Sequence, residues 1–135
     1  MDIEKYKAAI ETQKLYITIS YTIVMGQLII SSAPFYIYEK IKDTSFAWII
    51  FLVTAFCVLM LLFIYRNCAE KQNVAQNVAA ALEKGTIGYG VSFALQNNLL
   101  PAKLCWQKGI YGKVHFLSIG ICSGLFVVAL ILFNK

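Results

Sequence analysis

The side chains able to do acid–base, nucleophilic or metal chemistry in this chain stand far apart from one another. The seven acids are Asp2, Glu4, Glu11, Glu39, Asp43, Glu70 and Glu83, and each lies outside the long apolar runs. The four cysteines, Cys57, Cys68, Cys105 and Cys122, form no C-x-x-C pair, and His115 is the only histidine. A zinc site needs four such ligands converging at fixed spacing, so neither metal nor other cofactor is expected. No acidic pair accompanies the histidine and no nucleophile has a base beside it, which argues against an enzyme. The thiols read as free cysteines of a reducing compartment, with Cys68 placed where a lipid is attached in some hosts. His115 reads as a residue of the membrane interface, able to change charge near neutral pH.

A second set of polar residues is neutral. Tyr16, Ser20, Gln27 and Ser31 follow one another at intervals of four, seven and four, which aligns them on one face of a helix. Gln27 falls near the middle of an apolar run, where an amide facing lipid costs a few kcal/mol unless bonded. Two readings follow. The stripe forms hydrogen bonds between helices, or Ser20, Gln27 and Ser31 line a pore around a symmetry axis. Neither needs a charge in the run, and the run has none.

The elements that must hold this stripe are three charge-free apolar runs over 15–38, 46–65 and 114–133 of a 135-residue chain. Twenty helical residues rise about 30 Å, the thickness of the hydrocarbon layer. With 59% hydrophobic and 14% charged residues and a mean hydropathy of +0.67, the chain lies outside the soluble range. Backbone groups in lipid must be satisfied internally, so the runs read as helices, and the alternating strands of a membrane barrel are absent from the sequence. The expected fold is all-α: a single polytopic membrane domain over 1–135, with three transmembrane helices plus short amphipathic and cytoplasmic helices. Lys14 ahead of an apolar stretch and the Ser31-Ser32-Ala33 cluster resemble a secretory signal, but Pro34 follows at once and the run reads as a retained span.

Nine of the twelve Lys and Arg residues fall before the first run or between the second and third. The positive-inside rule therefore places the N-terminus and residues 66–113 in the cytoplasm, with the short loop and the C-terminus outside, in a bacterial inner membrane or a plasma membrane. Tyr36, Tyr38 and Trp48 would anchor the outer ends, and Tyr16, Tyr65, Trp106 and Tyr111 the inner ones. That distribution accounts for most of the net charge of +5, so no nucleic-acid partner is required.

Outside the runs, Ile3, Tyr6 and Ile10 predict an amphipathic helix over 2–14, lying on the membrane or continuing into the first span. Residues 39–45 form a tight turn. Asn67 and Glu70 have capping-box spacing, with an Ala-rich helix over 68–84 behind them. On it Val74, Ala75, Val78, Ala79 and Leu82 share a face, while Gln72, Asn73, Gln76 and Glu83 point elsewhere. Gly85 stops that helix. A shorter apolar segment, 91–100, ends at Pro101 and reads as interfacial or re-entrant. Gly109 and Gly112 loosen the chain before the third run.

Between these helices stands Thr86-Ile87-Gly88-Tyr89-Gly90. As a string it resembles the selectivity filter of potassium channels, in which backbone carbonyls replace an ion's hydration shell. It departs from that family in its approach, Glu83-Lys84-Gly85 on a polar helix, and in its cytoplasmic side. The string therefore reads as a hinge built on Gly85, Gly88 and Gly90. The third run contains Gly120-Ile121-Cys122-Ser123-Gly124, a GxxxG motif that lets helix backbones approach closely.

These features suggest a small homo-oligomeric channel or pore-forming protein, since three spans alone cannot enclose a water-filled path. The cytoplasmic segment would gate it or sense a ligand, and its partners would be membrane lipid, further copies, ions, and a cytoplasmic ligand or protein. The alternative is a non-catalytic accessory or scaffold subunit of a larger membrane complex.

Overall fold

The computed structural model describes residues 2–41, 45–97 and 109–135, with side chains from Lys113 onward in the last stretch. Its helices are α1 (Ile3–Ile41), α2 (Ala47–Lys84), α3 (Val91–Asn97) and α4 (Gly109–Phe133). No strand occurs among the described residues. α1, α2 and α4 are long and apolar enough to cross a membrane, so the chain is an all-α, multi-pass membrane protein. Residues 42–44 of the predicted turn, and the stretch with Pro101, Lys103, Cys105, Trp106 and Lys108, lie outside the described residues.

α1 joins the amphipathic N-terminal segment and the first apolar run in one helix of 39 residues. At 1.5 Å per residue it is about 58 Å long, nearly twice the hydrocarbon thickness. Asp2 caps it: the Oδ1 atom accepts the backbone N–H of Glu4 at 3.1 Å and of Lys5 at 3.3 Å. The N–H of Lys5, the Lys5 ammonium and the N–H of Glu4 together hold the Asp2 carboxyl below its ordinary range. Pro34 lies inside the helix and removes the bond to the Ile30 carbonyl, yet the helix runs on to Ile41.

α2 corrects the expected capping box. Asn67 starts no new helix, because α2 passes through it without interruption for 38 residues. No glycine or proline stands near 66–70 to break the helix. Extending a formed helix is favourable where nucleating a new one is not. Glu70 pairs instead with Arg66 one turn back, at 3.5 Å. Gly109 and Gly112, expected to loosen the chain, are helical positions of α4.

Gly85 ends α2 as predicted. Its φ of 68° is left-handed. The Gly85 N–H bonds the Leu82 carbonyl and the Thr86 N–H bonds the Ala81 carbonyl. That pair of bonds is a Schellman motif.

The described chain forms two compact units. The first comprises Met1–Tyr21 with Arg66–Cys105. Its core gathers Ala9, Val74, Ala75, Val78, Ala79, Leu82, Val91 and Ala94. Gln72, expected on the outer face of α2, is buried as well. α3 contributes Val91 and Ala94 to this core. The half-buried Leu95 of α3 packs against the same core.

The second unit comprises Thr22–Tyr65 with Trp106–Lys135. Ala47, Phe51, Ala55 and Val58 of α2 pack with Leu125, Ala129 and Leu132 of α4. Phe51 meets Phe35 edge to face at 5.0 Å and Tyr38 at 6.5 Å, and Trp48 meets Phe133 at 5.1 Å. In lipid these contacts act through close packing, since tails are as apolar as the side chains.

Gly85→Ala forces a side chain into the left-handed region and is expected to destabilise the protein by about 1–2 kcal/mol. Gly88 lacks a left-handed φ and has open space around it, so Gly88→Ala should be close to neutral. Denaturation in detergent micelles compares the two.

Candidate functional site: a polar node within the membrane

The chemistry available inside the spans is hydrogen bonding between neutral groups, and it centres on Gln27. Its side chain is 2% exposed. The Nε2 donates to the Val58 carbonyl of α2 at 3.3 Å, and the Oε1 accepts the Ser118 hydroxyl of α4 at 3.0 Å. Ser118 is itself 1% exposed. One amide thus ties three helices together through a backbone carbonyl and a hydroxyl. Val58 can accept because a carbonyl has a second lone pair beside the one used by its own helix. Cys122 adds a weaker link, its Sγ lying 3.3 Å from the Ala55 carbonyl.

The other members of the stripe are placed differently. Ser20 is buried and its hydroxyl bonds the Tyr16 carbonyl in the same helix at 2.7 Å. Tyr16, in the first unit, is partly buried with the Lys71 ammonium 5.7 Å from its ring centre. Ser31 bonds the Leu28 carbonyl at 2.9 Å. It lines a groove of about 310 Å³ with Phe35, Ile121, Gly124, Leu125 and Val128. Thr54 and Ser32 likewise return their hydroxyls to their own helices. The stripe shares one helical face, and at Gln27 that face is packed within the chain.

Gly120 and Gly124 do the opposite. At 100° per residue they lie about 200° and 240° around α4 from Ser118. Both are exposed, and a Cβ on either would meet no atom within 4 Å. Phe116 and Val127 are exposed around them. The motif makes no close approach among the described residues, so its surface is open.

The glycine string belongs to the first unit. The Lys5 ammonium donates to the Gly88 carbonyl at 2.6 Å, and the Tyr6 hydroxyl donates to Glu83 Oε1 at 2.7 Å. The bond to Glu83 and its negative charge hold the Tyr6 phenol above its ordinary range. The stem of Lys5 passes Gly90, 3.6 Å from where a Cβ would stand. Gly88 thus already has a cation on its carbonyl, supplied by the chain.

Among the described residues no three His, Cys, Asp or Glu side chains group as metal ligands. Cys57, Cys68 and Cys122 are free thiols, and Cys68, the positional candidate for a lipid, is buried. His115 is partly buried beside Phe116. Comparison with protein families, with curated proteins and with solved structures gives no match.

Sequence reasoning found Gln27 but not Ser118, its partner 91 residues away. The available signal was a serine in the third apolar run, which holds Ser118 and Ser123, since an intramembrane amide requires a partner on another helix. Lys5 and Tyr6 carried no signal beyond the spacing of Tyr6.

Ser118→Ala is expected to destabilise the protein by about 0.6–2 kcal/mol. Combined with Gln27→Leu, the two losses should sum to more than the loss in the double variant, because each removes the same bond. Unfolding in mixed micelles measures all three variants.

Proposed function

We propose that this protein is a non-catalytic membrane assembly subunit, a three-span unit closed by its own polar node that docks another transmembrane helix on the outer face of α4. One observation carries the reading: Gln27 and Ser118 are satisfied inside the chain while Gly120 and Gly124 stand open on the opposite face. Small residues on an open face allow backbones to approach closely, and in lipid such packing is a main source of helix association. The charge distribution supports an orientation with the N-terminus and residues 66–113 in the cytoplasm and the C-terminus outside. The cytoplasmic segment then meets soluble partners, and the α4 face meets a further copy of the chain or a helix of another polypeptide.

A homo-oligomeric channel is the second reading. It is favoured by Ser31, the stripe residue that lines an open groove beside Gly124. A path there would be walled by Ser31 and by the docked helix, with Gln27 as an internal brace.

Purification in mild detergent separates these outcomes. Assembly predicts a defined oligomer, or a complex with a second polypeptide, that Gly120→Leu/Gly124→Leu disperses with unchanged helical content. Ion flux in liposomes that changes with Ser31→Ala selects the channel. A stable wild-type monomer, indifferent to the glycine substitutions, overturns both.

A further inference from the structure

We propose that the first two turns of α1 act as a strap that holds α3 closed on α2, with the Lys5 ammonium as its fastening. The strap is made by neighbouring residues. Lys5 reaches the Gly88 carbonyl at 2.6 Å and Tyr6 reaches Glu83 at 2.7 Å, so one end of α1 grips both the end of α2 and the connection to α3. Asp2 supports the grip from its own side, capping the helix through the N–H of Lys5 and lying 3.5 Å from the Lys5 ammonium.

What lies beyond the connection is otherwise held by apolar contacts with the core. α3 has seven residues, whereas an isolated helix needs roughly 12–15 to be even marginally stable in water. Val91 and Ala94 are buried in the core and Ile87, Tyr89 and Leu95 pack half-buried against it, while Ser92, Phe93, Gln96 and Asn97 are exposed. The Schellman bonds hold Gly85 and Thr86 to α2 but end there. From Ile87 onward the backbone is fastened to a neighbouring helix at Gly88, by a charged donor that α1 supplies. Bonds with one charged partner are about twice as strong as neutral ones.

Releasing Lys5 therefore frees residues 87–97 as one unit. The α3 helix cannot persist undocked, and its departure breaks the cluster that Val91 and Ala94 share with Ala9, Val78 and Leu82. α1 and α2 continue as helices of 39 and 38 residues. The strap is a switch for one small element rather than a determinant of the whole fold, and it sets how much of the apolar face of α2 is uncovered.

Hydrogen exchange on the full chain in detergent micelles tests this. Lys5→Met keeps the aliphatic stem along Gly90 and removes the ammonium. Exchange over residues 87–97 should rise about five- to tenfold, while α4 and the Gln27 region keep wild-type rates. Tyr6→Phe should give a smaller rise in the same segment, and Lys7→Met, on the exposed side of α1, none. Unchanged exchange over 87–97 in Lys5→Met overturns the proposal. So does a rise of equal size in α4, which would mark a loss of overall stability instead of an opened strap. If Lys5→Met does not purify, Tyr6→Phe alone decides between the same outcomes.

Discussion

An amide in hydrocarbon must find its partners within the protein, and the second unit is arranged around that requirement. Gln27 offers donors and an acceptor at a depth where water supplies neither. The donor goes to a carbonyl of α2 and the acceptor to a hydroxyl of α4, which fixes the rotation of three helices about their own axes. Apolar packing cannot do this as sharply. Leucine and phenylalanine faces tolerate small rotations at little cost, whereas turning α1 by one residue separates the amide from both partners. The aromatic cluster around Phe51 and the alanines of α2 and α4 then set spacing between helices whose facing is already decided.

The first unit uses a different logic. Half of its eight core residues are alanine, so each buried contact contributes little and much of the stability must come from the helices themselves. That is consistent with α1 and α2 running unbroken from apolar into polar sequence: a long helix spreads its nucleation cost over many residues. α3 has no such length. It is held by Val91, Ala94 and the half-buried Leu95, and the connection ahead of it by the Lys5 ammonium on the Gly88 carbonyl.

Much of this was legible in the residues. The three runs, the common face of Tyr16, Ser20, Gln27 and Ser31, and the stop at Gly85 follow from spacing and from backbone chemistry at single positions. Continuity through Asn67 was not legible, because a capping box and an ordinary exposed Asn with a helical Glu look alike. What separates them is whether the preceding turn leaves helical geometry, and that depends on its neighbours. The dock of α3 was missed because length and hydropathy describe a segment, not its partner. Ser118 was missed for the related reason that a serine in a membrane helix commonly bonds its own backbone, as Ser20 and Ser31 do. Only the position of Gln27 across the bundle distinguishes it.

In the proposed assembly, the inner and outer faces of α4 constrain one another. Ser118 and Gly120 are two residues apart, which places them about 3 Å apart along the axis and about 200° apart around it. A helix docked on Gly120 therefore lies at the depth of the polar node, with α4 between them. Rotating α4 to offer Ser118 to a partner would carry Gly120 into the bundle. The Gln27 carbonyl oxygen would then face a glycine with no donor to replace the lost hydroxyl. Close approach outside and a satisfied amide inside thus require the same rotation of α4. Helix association on the glycine face would stabilise the closed node, and the node would keep the glycine face turned outward. The same coupling explains why a pore wall made of Gln27 is hard to reconcile with packing through Gly120 and Gly124, whereas Ser31, at the edge of the groove, is compatible with either function.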